Sequence, residues 1–389
     1  MTTVLNRPVR GVSGRAMHAF VVGVGGYPYC GDAAKAGSVP AAIDDVSTAE
    51  VTAREIAAWL LDSQRDDVEL PLASLEVLIS PVGTEPARIE VDGTGMEVGP
   101  AAYDPFRKAL THWYERCDDP RATALFYFVG HGCSRSAWDE SLLLSDFGAG
   151  PGNPFEGAVD AGQFIEGMGA CAAGTQLFLL DCCREVPARL LTTTGLNARV
   201  PLAPGIDPVL RTSLLVLNAT AHGGPAFGTS RRATRFSQEV RQAFDGVASG
   251  QGPDGVWRVE AGLLATAVQT LRDRASASEG ARDRRPTASR SEVVSGLTLR
   301  RLDAPPLVPF TVGCSPPEAA RDAELTLLGE ADGTAVGPHS AGGPWHGRAR
   351  AGSYELTARF PGGGWREVRE PGRLVIPQWY VRNLPVERS

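Results

Sequence analysis

Apolar runs of strand length alternate with stretches of helical period through residue 245, and no other feature of the 389-residue chain restricts its fold as strongly. Such alternation is the pattern of a parallel sheet buried on both faces and joined by helical crossovers. The runs at 18–24, 74–80, 122–129, 175–181 and 213–219 are the expected strands. Between them, 40–61 carries Ile43, Val46, Val51, Ile56 and Leu60 at helical spacing. Helices are expected also at 102–116, 160–169, 235–246 and 257–273. The architecture is α/β with a mainly parallel sheet, one edge of which the pattern does not place.

The character of the chain then changes. Residues 272–290 read RDRASASEGARDRRPTASR, with six Arg against three acids and almost nothing apolar, which predicts a solvated loop or linker. From 306 to 384 short alternating runs, 323–328, 352–360 and 373–376 among them, are separated by Gly and Pro clusters. That pattern predicts a small antiparallel β-sandwich domain. Two domains are therefore expected: 1–305, containing the basic loop, and 306–389.

Composition narrows the function classes. With 43% apolar and 21% charged residues, neither wholesale disorder nor a membrane bundle fits. The 45 glycines and 29 prolines predict many turns and long loops, where a scaffold carries chemistry. A formal charge of −7 argues against general affinity for nucleic acid or anionic lipid, so the expected partners are proteins or small molecules. Seven cysteines without a C-x-x-C spacing suggest reduced thiols in a cytoplasmic protein and neither a metal site nor a cofactor. Arg7, Arg10 and Arg15 before the run 19–24 superficially resemble a signal peptide, but about six apolar residues ending at Gly25, Gly26 and Pro28 read better as a buried strand. Nowhere do 18 apolar residues run together.

Two strands end in reactive side chains. ALFYFVGHG leads a buried strand to His131 between Gly130 and Gly132, at the strand end where open α/β sheets bind ligands. TQLFLLDCCRE leads the next strand to Asp181, Cys182 and Cys183. Side chains alternate along an extended segment, so Asp181 and Cys183 share one face while Cys182 points to a covering helix and is assigned to packing. His131 alone would read as a capping residue, and the two cysteines alone as buried packing; an imidazole and a thiol on neighbouring strand ends read as chemistry. A thiol attacks a carbonyl as thiolate, with a free pKa of ~8.5, and an imidazole is the partner that takes its proton.

YFVGHG followed about 50 residues later by FLLDCCRE resembles the caspase and metacaspase superfamily of cysteine proteases in order, context and spacing. The resemblance runs over roughly 16–275 and takes in AFVVGVGGYP, VPAAIDDVSTAEVTA, SLLVLNATAHGGPAFG and TRFSQEVRQAF. It implies a caspase-like three-layer sandwich, Cys183 as nucleophile, His131 as general base and acid, and the backbone N–H groups of Cys183 and Gly132 as oxyanion hole. By the metacaspase pattern, Asp45 and Asp181 would form a pocket for Arg or Lys. Paired carboxylates favour a bidentate guanidinium and repel Asp, so cleavage after Arg, less readily after Lys, is expected. Without the family match Asp45 reads equally as a helix-capping or first-turn acid of the following helix.

The chain departs from that pattern in Cys133-Ser134 after the His and Arg184-Glu185-Val186 after the Cys. Arg184 pairing with an acid at the pocket mouth would weaken the substrate subsite, or keep it closed until something displaces the loop. Calcium dependence has no acidic cluster to support it. The expected activity is thus a regulated cysteine endopeptidase, with protein or peptide substrates bearing Arg at the cleavage site. Its loop is expected to be nicked at Arg284-Arg285 by the chain itself or by an upstream protease. Bacterial relatives often serve defence or programmed death, and the resemblance implies the same here.

The alternative is an inactive caspase-like scaffold that mediates protein–protein interaction. A Cys182–Cys183 redox pair is disfavoured by the strained ring that adjacent cysteines form. Gly23, Gly25 and Gly26 fall short of a dinucleotide motif because Pro28 stands where the third glycine belongs, and no G-x-S-x-G elbow occurs. His222 follows the fifth strand in NATAHGG, where a surface or substrate-rim role reads as well as a chemical one. His339 and His346 read as ordinary, and Trp345, Trp365, Trp379 and Tyr380 as a small core in preference to a partner surface.

Overall fold

The computed structural model describes residues 2–34, 38, 40–134, 140–150, 152–182, 198–202, 213–220, 232–278, 289–292, 296–340 and 342–389. It divides into two compact units, Met1–Arg241 with Ala275–Arg300, and Gln242–Arg274 with Arg301–Ser389. The sequence pattern puts a single boundary at 305. The segment 242–274 instead belongs with the later strands, where Trp257 packs against their apolar cluster.

The first unit is a mixed α/β structure around a seven-stranded sheet. Its strands are β1 (Thr3–Asn6), β2 (Ala16–Val24), β3 (Leu72–Ser80), β4 (Ala122–Gly130), β5 (Thr175–Cys182), β6 (Ser213–Asn218) and β7 (Ser289–Glu292), in the order β1-β3-β2-β4-β5-β6-β7. Neighbours from β3 through β6 are parallel. The two edges, β1 on β3 and β7 on β6, are antiparallel. Helices α1 (Ser47–Trp59), α2 (Tyr103–Cys117), α3 (Ala161–Gly167), α4 (Arg235–Gln242) and α5 (Ala261–Ser278) complete the regular elements used below.

Burial on both faces explains the near-continuous apolar inner strands; all nine residues of β3 are buried. On one face, Phe106 and Trp113 of α2 and Phe164 of α3 interleave with Phe20, Phe126 and Phe178 of the sheet. The rings of Phe126 and Phe164 meet edge to face at 5.0 Å, and Trp113 Nε1 donates to the His18 carbonyl at 2.9 Å. On the other face α1 lies so close to β2 that a Cβ at Gly23 would stand 2.4 Å from Ala53 Cβ.

Several expectations shift. The helix expected from 40 begins at Ser47, because Pro40–Ala42 forms a short 3₁₀ turn and residues 43–46 take no regular structure. Residues 257–260 form a strand, pairing with Ser249–Gln251, before α5 starts. The supposed loop 272–290 contributes its first residues to α5 and its last to β7. Among the described residues no helix is long and apolar enough to cross a membrane.

In the second unit, Leu307–Ser315 lies between Trp345–Arg350, antiparallel, and Tyr380–Pro385, parallel, so this sheet is mixed rather than wholly antiparallel. A four-stranded antiparallel sheet holds Ala335–His339, Glu324–Gly329, Gly352–Arg359 and Val368–Val375. Val308, Phe310 and Val312 from the first and Leu325, Leu327 and Leu356 from the second share one apolar cluster. Trp345 is buried in it; Trp365 and Tyr380 pack at its margin.

Candidate functional site

His131 follows the last residue of β4, and Tyr27 holds it there. The His131 N–H donates to Tyr27 Oη at 2.8 Å, and Tyr27 Oη donates to the Leu143 carbonyl at 3.2 Å. The two rings lie 5.1 Å apart between centroids. A side chain at position 130 would bring its Cβ to 3.0 Å from Tyr27 Oη and 3.1 Å from Val24 Cβ, so the close approach of these elements explains Gly130.

The imidazole is oriented from its far side. His131 Nε2 lies 2.7 Å from the Asp44 carbonyl oxygen. A carbonyl can only accept, so Nε2 carries the hydrogen and the neutral ring keeps Nδ1 as a free acceptor. Burial lowers the His131 pKa below the usual imidazole value, against the opposing pull of the Asp44 carbonyl and the charges of Asp44 and Asp45. At neutral pH the ring is an uncharged base.

Asp45 does not cap α1. The residue before that helix is Val46, without a side-chain cap, and Asp45 Oδ1 accepts the Tyr27 N–H at 2.8 Å. Asp44 thus holds the histidine ring and Asp45 the backbone of the tyrosine packed against it.

On the neighbouring strand, Asp181 pairs in register with Val129 and Cys182 with Gly130. Asp181 is 3% exposed, and its Oδ2 accepts from Tyr127 Oη at 2.7 Å and from Thr234 Oγ1. The Thr234 N–H in turn donates to Thr52 Oγ1 of α1 at 3.0 Å. Cys182 points to the opposite side, inside the apolar cluster with Phe128 and Leu142, and its Sγ reaches Glu140 Oε1 at 3.7 Å. Gly132 opens the buried strand Gly132–Ser134, which pairs with Glu140–Leu143. Cys183, Arg184, Glu185, His222 and the Arg284-Arg285 pair lie outside the described residues.

The structure therefore brings His131 together with Asp44 and Asp45, and sets Asp181 one strand away under Thr234. Asp45 and Asp181 do not line a common described cavity. A cavity of about 870 Å³ opens beyond the ends of β2 and β3; Tyr27, Asp44 and Asp45 form part of its wall and Asp181 does not. No group of three or more His, Cys, Asp or Glu among the described residues is placed to hold a metal ion. Sequence reasoning missed Tyr27, the Asp44 carbonyl and Thr234. GGYP marked only a turn, and no residue type announces a backbone acceptor. Neither protein-family models nor curated proteins give a match to the chain.

Proposed function

We propose that the chain is a cysteine endopeptidase of caspase-like architecture that cleaves polypeptides after Arg and less readily after Lys. One observation carries the reading: the Asp44 carbonyl fixes His131 in the tautomer whose Nδ1 accepts a proton, at the strand end beside the one that leads into Cys183. Nδ1 takes the Cys183 thiol proton and the thiolate attacks the scissile carbonyl carbon. The backbone N–H groups of Gly132 and Cys183 receive the oxyanion. The imidazolium then protonates the leaving amine, and water hydrolyses the thioester with His131 again as base. Helices on both faces of the sheet support a three-layer sandwich for the first unit, and two sheets over one core support a β-sandwich for the second.

Carboxylates supply the cation preference. Asp45 is exposed, whereas Asp181 is clasped by Tyr127 and Thr234, so its use in substrate binding requires the segment before α4 to move. That restraint fits an enzyme switched on by loop rearrangement or by cleavage at Arg284-Arg285. Turnover of short fluorogenic peptides ending in Arg, Lys or Asp is the test, comparing wild type with Cys183→Ala and His131→Ala. The order Arg, then Lys, then Asp, abolished in both variants, is expected; equal rates in wild type and Cys183→Ala overturn the proposal.

A scaffold that binds another protein is the second reading. It is favoured by the apolar side chains of Leu374, Ile376 and Val381, which are 60%, 52% and 54% exposed on the second unit. Iodoacetamide near pH 7 separates the two readings, because a primed thiolate at Cys183 reacts far faster than the buried thiols and a scaffold has no such preference.

A further inference from the structure

The strand pair that begins at His131 lacks one of the hydrogen bonds its register calls for. Gly132 faces Leu142, Cys133 faces Ser141 and Ser134 faces Glu140, so the same antiparallel register sets His131 opposite Leu143. A hydrogen-bonded pair in such a ladder exchanges two main-chain bonds. One of them is made: the Leu143 N–H donates to the His131 carbonyl at 3.0 Å. The reciprocal bond, from the His131 N–H to the Leu143 carbonyl, is not made directly. The Tyr27 hydroxyl stands in its place, accepting from the His131 N–H at 2.8 Å and donating to the Leu143 carbonyl at 3.2 Å.

A phenol can fill that gap because a single oxygen accepts and donates at once. Burial raises the Tyr27 pKa well above the usual phenol value, so the hydroxyl keeps the hydrogen it donates. Tyr27 is 3% exposed, and its main chain is tied at both ends: Asp45 Oδ1 accepts its N–H at 2.8 Å and the Cys30 N–H donates to its carbonyl at 3.0 Å. The hydroxyl is therefore a fixed spacer that holds the histidine's main chain off the hairpin. The imidazole rides on that main chain, so the spacer also sets how Nε2 meets the Asp44 carbonyl. We infer that Tyr27 is a positioning residue for His131, inserting its hydroxyl into the strand pair so that the ring reaches the Asp44 carbonyl and Nδ1 stays free. The kinetic consequence rests on the peptidase reading, whereas the geometry can be measured without turnover.

Nitrogen NMR of the wild-type His131 ring should show one neutral tautomer, with the hydrogen on Nε2. Tyr27→Phe removes only the oxygen, so the His131 N–H and the Leu143 carbonyl either close onto each other or lose their partner. The ring signals should then move toward a mixture of the two tautomers. Tyr354→Phe, which removes a hydroxyl that donates to the Arg350 carbonyl at 2.9 Å in the second unit, should leave them unchanged. With the Arg peptide, kcat of Tyr27→Phe should fall on the order of tenfold or more at unchanged KM, because only the base is displaced. An unaltered ring spectrum in Tyr27→Phe, or a fall in kcat that Tyr354→Phe shares, overturns the inference and leaves the peptidase reading intact. If wild type cleaves no peptide, the peptidase reading fails and the ring spectrum still decides the role of Tyr27.

A second measurement needs no variant and so does not depend on Tyr27→Phe folding. Couplings between nitrogen and carbonyl carbon across hydrogen bonds report main-chain bonds one at a time. In the wild-type protein the Leu143 N–H should couple to the His131 carbonyl carbon, and the His131 N–H should not couple to that of Leu143. Couplings in both directions would mean that no hydroxyl lies between the strands, and would overturn the inference.

Discussion

Tyr127 and Thr234 aim their hydroxyls at the same oxygen of Asp181, and a buried carboxylate that loses a donor is costly. A hydrogen bond to a charged group contributes about 1.5–3 kcal/mol, so Tyr127→Phe and Thr234→Val should each lower unfolding free energy by roughly that amount in urea titrations. A loss below about 0.5 kcal/mol for both would contradict the clasp. On the proposed peptidase reading, His131 as the base sets the acid limb of activity. Burial depresses its pKa, so the ring stays neutral as pH falls through the ordinary imidazole value near 6.5, and kcat/KM should decline only below it. An acid limb centred above 6.5 contradicts that sign. His18, buried beside Arg116 and Arg10, is held near a pKa of about 4 against 6.5 in the free side chain. The unfolded chain binds its proton first, so stability is complete above pH 6.5 and is lost as pH falls toward 4, by up to about 3 kcal/mol. Denaturation curves across that window should flatten in His18→Gln.

At the scale of elements, the contact of α1 with β2 leaves no room for a methyl group at position 23. Gly23→Ala should destabilise by about 1–3 kcal/mol through overpacking against Ala53, and Ala53→Gly should recover part of it; additive losses would show that the two do not meet. The five inner strands were legible because apolar runs mark strands buried on both faces. The edges were not. β7 reads SRSE and has no apolar residue, since an edge strand can be held by main-chain pairing on one side. β1, four residues long, gains its place from pairing with β3 and from Thr3 Oγ1 donating to the buried Glu76 at 2.7 Å. Trp257–Glu260 escaped because Trp and Val continue the helical apolar period of α5, and only pairing with Ser249–Gln251 turns them into a strand.

For the whole molecule, cysteine accessibility is the broadest check. Cys30, Cys117, Cys133, Cys171, Cys182 and Cys314 are all buried free thiols. Burial pushes Cys30 up to about 12 and Cys171 up to about 11, and raises Cys117 and Cys314 as well. Native alkylation near neutral pH followed by mass spectrometry should therefore spare all six and modify Cys183, with full labelling only in denaturant. Modification of Cys182 as fast as Cys183 would count against a primed nucleophile. The linear order of residues by itself determined the α/β class, the inner sheet and the pairing of an imidazole-bearing strand end with the strand that leads to a double cysteine, because burial periodicity is written along the chain. Only the tertiary structure decided which nitrogen of His131 is free, that Asp181 is sealed by Thr234, and that Asp45 faces a cavity that Asp181 does not line. Those outcomes depend on a backbone carbonyl, a hydroxyl and a turn that distant segments bring together, and none of them leaves a period or a motif in sequence.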